Sequence, residues 1–318
     1  MAIKASSLHT GTGSALKSVK SNQAQSDPEP NHNGTTAPPI TVSKEVTPLS
    51  TAEILDGLPS REFIILAGKD GVGKTCSILS MATYVETVLA PDAKFYVIDT
   101  ENKFRTAMKS FGPDCPSNIV YYKTDDMNQC TWALDQILRQ HNPGDWLAVE
   151  SMSRVWERAQ DLGYSAISGF AKAEYMERRR AEKADGGKAP AVTPQPDQLW
   201  SITKGAHDGA FVDRITMTED LNVILSTTLA RPPKEGNFMK ESADRKALRV
   251  ELGIDAGLDG APRLPYYCES LMILDLKNGK VTCRVLRDNI NTGDETRGEF
   301  AVEGKKTFAI NFWESCRG

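Results

Sequence analysis

The chain has 318 residues, a formal net charge of -4 and a pI near 5.7. This balance excludes a global basic attraction to nucleic acid, so any contact with DNA has to come from local patches. Six Cys without a CxxC and four widely spaced His exclude zinc-ligand spacing. With no 18-residue apolar stretch and no apolar leader, the sequence predicts a soluble cytoplasmic protein with reduced thiols and no membrane partner.

Residues 1–52 are crowded with Ser, Thr, Gly, Asn, Gln and Pro, and no Phe, Tyr or Trp precedes Phe63. Such a segment cannot bury enough apolar surface to offset its ordering entropy, so it is expected to be a disordered tail. Residues 53–318 then form one α/β domain. Strand-like runs are expected at Phe63–Ala67, Lys94–Asp99, Asn118–Lys123, Trp146–Glu150 and Asn222–Thr228. Helices are expected at Lys74–Leu89, Lys103–Ser110, Met127–Gln140 and a span around Trp200–Glu219. Strands alternating with helices predict a mostly parallel central sheet, and runs such as Val223-Ile224-Leu225 suit strands covered on both faces. Glu269–Leu276 and Lys280–Leu286, joined at Asn278-Gly279, read as a C-terminal antiparallel hairpin. Gly163–Pro196 and Arg231–Gly260 match neither period and read as long loops or partly helical insertions.

The most informative segment is Gly68-Lys69-Asp70-Gly71-Val72-Gly73-Lys74-Thr75, placed between the first strand and the first helix. In that context it reads as a phosphate-binding loop rather than a ligand-free glycine turn. Its backbone amides point inward and the following helix presents its positive end, through Cys76, to the same oxygens. Lys74 supplies a charge for the outer phosphates and Thr75 a hydroxyl for Mg2+, which makes ATP and Mg2+ the expected ligands.

Hydrolysis also needs a carboxylate for water and an acidic partner for the metal. Strand ends beside the loop offer Asp99-Thr100-Glu101 and Glu150-Ser151, while Ser226-Thr227-Thr228 offers hydroxyls. The alternative role for these carboxylates is helix capping.

These residues resemble the RecA-like ATPases from about Ser60 to about Asn291. The resemblance implies an Asp-x-Glu whose Glu101 is the general base, and a Walker B end at which Glu150 replaces the usual Asp and holds Mg2+ through water. It also implies a phosphate-sensing position near Thr227 or Thr228, where the family has Gln or His. Family sites lie between subunits, so a homo-oligomer with ATP at its interfaces is implied, with Arg287 acting as a catalytic finger in trans. Within the family, the chain is similar to the short phage ATPases that serve in single-strand annealing and recombination.

The family's DNA-contacting loops fall where the two unassigned insertions lie. Ala171–Lys188 has six Lys/Arg against four Asp/Glu, and Arg231–Val250 six against three. Arg178, Arg179, Arg180, Lys183, Lys234 and Lys240 are therefore the candidate contacts to single-stranded DNA, the alternative being a solvated helix face. Lys69 leaves a second resemblance open, to the ParA and MinD partition ATPases, whose extra loop lysine reaches a partner's nucleotide. Asp70 and Glu150-Ser151-Met152-Ser153 depart from that pattern. A third reading is a nucleotide module that works by protein contact alone.

Overall fold

The structure, a computed structural model, describes residues 61–184, 194–230, 257–258, 264–288, 299–304 and 307–317. The tail expected at 1–52 lies outside these residues. Five parallel strands form the centre: β1 (Phe63–Gly68), β2 (Phe95–Asp99), β3 (Ile119–Lys123), β4 (Trp146–Glu150) and β5 (Asn222–Ala230). The sheet continues through β7 (Ser270–Lys277), parallel to β1, then antiparallel β8 (Lys280–Asp288) and β9 (Glu299–Ala301). Strand order is β3-β2-β4-β5-β1-β7-β8-β9, and short β6 (Gly257–Leu258) pairs with the extension of β5. This is the mostly parallel α/β architecture with a C-terminal antiparallel hairpin that the sequence predicts.

Side-chain alternation along each strand divides the core into two layers. Ile64 and Leu66 of β1 face one side, where Ile78, Leu79 and Met81 of α1 (Lys74–Tyr84) pack with α2 (Phe104–Phe111) and with Phe308 and Phe312 of α8 (Thr307–Cys316). Phe63, Ile65 and Ala67 face the other, against Leu134 and Ile137 of α3 (Met127–Gln140) and Val155 and Ala159 of α4 (Met152–Ser168). Both faces being covered, the central strands carry no polar alternation, as parallel sheets require.

Local chemistry sets the element ends. Asp126 caps α3 by accepting from the Gln129 amide at 2.9 Å, and the Gln129 side chain returns an acceptor to the Asp125 amide at 2.8 Å. Gly169, at φ 79°, ends α4 with its amide on Ser165 O. Asn278 and Gly279 both have positive φ (53° and 76°), as the tight turn between β7 and β8 demands.

The expected first helix is shorter than Lys74–Leu89, because α1 gives way at Tyr84 to a π-helical turn, Val85–Leu89. Thr83 and Thr87 donate to carbonyls four residues back (3.0 and 2.7 Å), competing with the regular ladder, and the Ala90 amide reaches five residues back to Val85 O. The span expected around Trp200–Glu219 begins earlier, at the helix-initiating Pro196 of α6 (Pro196–Lys204), and runs through a π-helical segment, Gly205–Val212, into α7 (Asp213–Thr216). Gly163–Pro196 is largely helical: α4 extends to Ser168, and α5 (Lys172–Ala184) follows it. α4 and α6 meet closely at Gly163, where a Cβ would stand 2.5 Å from Thr203 Oγ1. Most of Arg231–Gly260, including Lys234 and Lys240, lies outside the described residues.

Candidate active site

The site forms where β1, β2, β4 and β5 end side by side. Gly68 closes β1 at a crowded point, since a Cβ there would meet Val72 Cγ2 at 2.7 Å and Leu274 O at 2.8 Å. Gly71 and Gly73 have φ of 80° and 98°, a left-handed conformation that costs glycine little and turns the loop amides inward. Lys69, Asp70 and Cys76 are exposed, whereas Val72 is buried beneath the loop and Lys74 is 7% exposed. The Lys74 ammonium donates to Gly68 O at 2.8 Å and Lys69 O at 3.0 Å, so the loop's own carbonyls hold its charge at the centre. Burial lowers the Lys74 pKa, and the nearby Glu150 carboxylate opposes that shift.

Glu150 is only 2% exposed. One carboxylate oxygen accepts from Thr75 Oγ1 at 3.2 Å, while Oε2 has no hydrogen-bond partner. Burial pushes its pKa up to about 7, against the pull of the nearby Ser226 hydroxyl and Lys74 ammonium. A buried carboxylate oxygen without a partner, beside the loop's Thr hydroxyl, fits a hydrated divalent cation. The glycine loop, Lys74, Thr75 and Glu150 thus fit a nucleotide with Mg2+.

Asp99 and Glu101 have separate tasks. Asp99 is fully buried and accepts from the Glu101 amide, the Phe104 amide and the Tyr121 hydroxyl, each at 3.0 Å. The capping role therefore belongs to Asp99, which fixes the turn into α2 and aims the next carboxylate. Glu101 accepts from Ser151 Oγ at 2.8 Å, pairs closely with Lys103 and lies 3.7 Å from Arg154 Nε. Burial would raise its pKa, but Lys103, Ser151 and Arg154 outweigh it and hold the carboxyl below its ordinary value. Lys103 also lies 3.8 Å from Asp70. Thr100 ties the two strand ends together, its Oγ1 donating to Glu150 O at 3.1 Å and accepting from the Ser151 amide at 3.0 Å across a cis Glu150–Ser151 bond.

Other expected residues lie elsewhere. Thr227 is buried and its hydroxyl meets Ser153 Oγ at 3.1 Å, while the Thr228 amide donates to the same Ser153 oxygen at 2.9 Å. The phosphate-sensing position expected at Thr227 or Thr228 is therefore taken up, for Thr227, by a bond that ties β5 to α4. Arg287 pairs in register with Leu271, toward the entry end of β1, and donates to Pro265 O at 2.9 Å. It is not brought to its own chain's loop.

Arg178, Arg179, Arg180 and Lys183 all lie on α5. Arg178 is paired with Glu174 at 2.9 Å and stands 3.9 Å over the Phe170 ring. Sequence reasoning missed Lys103, Arg154 and Ser151 as the partners of Glu101. Their signal was positional: Lys103 lies two residues beyond Glu101, and Arg154 occupies the first turn after the Glu150 strand. It also missed Trp200, 45% exposed, stacked on Trp156 at 5.8 Å with Lys204 at 5.9 Å from its ring.

No protein-family model matches this chain, and no curated protein matches its sequence. Among solved structures it is similar to a KaiC-like protein from the hyperthermophilic archaeon Pyrococcus horikoshii OT3, at 10% identity over 79% of this chain and 89% of that one, with a TM-score of 0.44. It is also similar to the flagellar accessory protein FlaH from Methanocaldococcus jannaschii, at 13% identity over 81% and 94%, with a TM-score of 0.39. Among the described residues no helix is long and apolar enough to cross a membrane, and no cluster of His, Cys, Asp and Glu is arranged to hold a metal ion by itself.

Proposed function

We propose that this chain is a Mg2+-dependent ATPase acting as a homo-oligomer on single-stranded DNA, in the manner of the phage annealing and recombination ATPases. The observation that carries the ATPase reading is the convergence of two differently tuned carboxylates on one phosphate loop. Glu101, held ionised by Lys103, Ser151 and Arg154, has the protonation state of a base for the attacking water. Glu150, buried with one oxygen unpartnered and the other on Thr75, is suited to a metal's water shell. When bound, Mg2+ neutralises charge on the phosphates. Lys74 and the amides of the Gly71–Gly73 turn bind and orient the phosphates, and Arg287 is assigned to a neighbouring subunit's site.

The DNA assignment is supported by α5, which follows the Glu150 strand and α4 and carries Arg178, Arg179, Arg180 and Lys183 on three or so turns. Trp200 adds a half-exposed ring of the kind on which bases stack. The exposed Lys69 favours a second reading, a partition or positioning ATPase in which that lysine serves a partner's nucleotide. The test is the ATP turnover rate with and without single-stranded DNA, alongside the oligomeric state with and without nucleotide. Stimulation by DNA is expected. Turnover indifferent to DNA overturns the DNA assignment, and a nucleotide-dependent dimer in that case supports the second reading. Failure to bind Mg2+ and ATP overturns both.

A further inference from the structure

We propose that Lys103 is the cation for the outermost phosphate of ATP, held on Glu101 until that phosphate is present, an inference that deepens the ATP-binding reading above and rests on it. Lys103 lies between the end of β2 and the start of α2. Its ammonium pairs closely with Glu101 Oε2 and lies 3.8 Å from Asp70 Oδ1 on the phosphate loop. One side chain thus reaches both the loop and the carboxylate assigned to the attacking water. Its charge is also felt at the centre of the loop. Burial lowers the Lys74 pKa, Glu150 and Asp70 oppose that shift, and the positive charge of Lys103 adds to it. Two ammonium groups close enough to disfavour one another are eased by an anion that both can reach.

The two oxygens of Glu101 are held differently. Oε1 accepts from Ser151 Oγ at 2.8 Å and lies 3.7 Å from Arg154 Nε, and Arg154 is itself paired with Glu157 on its own helix. Oε2 is the oxygen on Lys103. The Glu101 side chain is only 9% exposed and that of Lys103 is 52% exposed, so the ammonium is the half of the pair with room to move. A lysine ammonium on its flexible four-carbon stem exchanges one anion for another without a fixed bidentate geometry to break. A terminal phosphate carries more negative charge and more acceptor oxygens than one carboxylate, so it competes for Lys103 where ADP, which lacks it, does not. Once Lys103 has changed partners, Oε1 stays fixed by Ser151 and Arg154 while Oε2 is open to water. The base is thereby uncovered by the same phosphate that the water attacks.

Equilibrium binding of the non-hydrolysable β,γ-imido analogue of ATP, and of ADP, each with Mg2+, is measured for the full chain, for Lys103→Met and for Lys103→Arg. Met removes the ammonium and keeps a long unbranched side chain. The expected result is that Lys103→Met weakens the analogue about tenfold or more and ADP by less than about twofold, while Lys103→Arg, which keeps the charge, weakens the analogue by less than about threefold. A pair that only stabilises the fold would shift both nucleotides alike. Equal weakening of the two in Lys103→Met, no change in either, or a Lys103→Arg as impaired as Lys103→Met overturns the proposal. Wild-type protein that binds neither nucleotide overturns the ATP-binding reading and the proposal with it, whereas wild-type binding that Lys103→Met leaves intact overturns the proposal alone.

Discussion

Replacing Glu150 with Gln should stabilise the ligand-free protein, and by more as the pH rises. Glu150 is buried, and its pKa is raised from an ordinary 4.5 to about 7, so the folded state disfavours its ionised form. The sign follows from proton counting. Between pH 4.5 and 7 the folded chain holds a proton that the unfolded chain has released, so stability falls as pH rises through that window. Below pH 4.5 the penalty is absent; above 7 it is complete. At about 1.4 kcal/mol per unit, the shift corresponds to a penalty of about 3 kcal/mol at pH 8, and of about 1 kcal/mol at pH 5. Gln keeps the acceptor for Thr75 and carries no charge, so it escapes the penalty at both. Urea unfolding of wild type and Glu150→Gln at pH 5 and pH 8, without nucleotide, measures the difference. Stability gaps that are equal at the two pH values would refute the assignment of the raised pKa to Glu150. With Mg2+ and ATP the order should reverse, because the carboxylate then has a cation to face.

Glu101→Gln should bind ATP and Mg2+ normally yet hydrolyse about 10² to 10⁴ times more slowly, checked by single-turnover kinetics, since the amide cannot accept the water's proton. Asp99→Asn should cost about 1–3 kcal/mol in urea unfolding and slow turnover as well, because an amide nitrogen would face donors that now bond the buried carboxylate. Replacing Arg178, Arg179 and Arg180 with Ala should preserve α5 and basal hydrolysis while flattening the salt dependence of single-stranded DNA binding by about 0.7 in log-log slope per lost phosphate contact. Arg287→Ala mixed with Glu101→Gln should recover hydrolysis at mixed interfaces if Arg287 serves a neighbour, and no recovery at any ratio counts against that role.

The strand cores, the loop and the hairpin turn were legible because each depends on local rules: continuous apolar runs for strands buried on both faces, glycines at positive φ, and Asn-Gly in a tight turn. The two carboxylates beside the loop were legible from their places at strand ends. Their division of labour was not. Asp99 and Glu101 are two residues apart, and only the approach of Tyr121 from β3 and of Ser151 and Arg154 from the β4 side separates the capping carboxylate from the one held by a hydroxyl and cations. The same limit applies to Thr227, which reads as an exposed strand-end hydroxyl until Ser153 is seen against it. The helical character of α5 was hidden by a composition that, without an apolar stripe, resembles a charged loop; its buried anchor is Tyr175, packed 5.3 Å from Tyr164 of α4.

The helix α4 joins the two ends of this chemistry. Its first turn holds Ser153 and Arg154, one bonded to β5 and the other near Glu101, and its last turn leads through Gly169 to the basic α5. At 1.5 Å per residue its 17 residues span about 25 Å. A tilt of about 5° at its first turn would carry its last turn through about 2 Å over that length, enough to make or break a hydrogen bond. The surroundings of Glu101 and the start of α5 therefore lie at opposite ends of one helix, and a substitution that softens α4 midway, such as Ala159→Gly, would loosen the connection without touching either end.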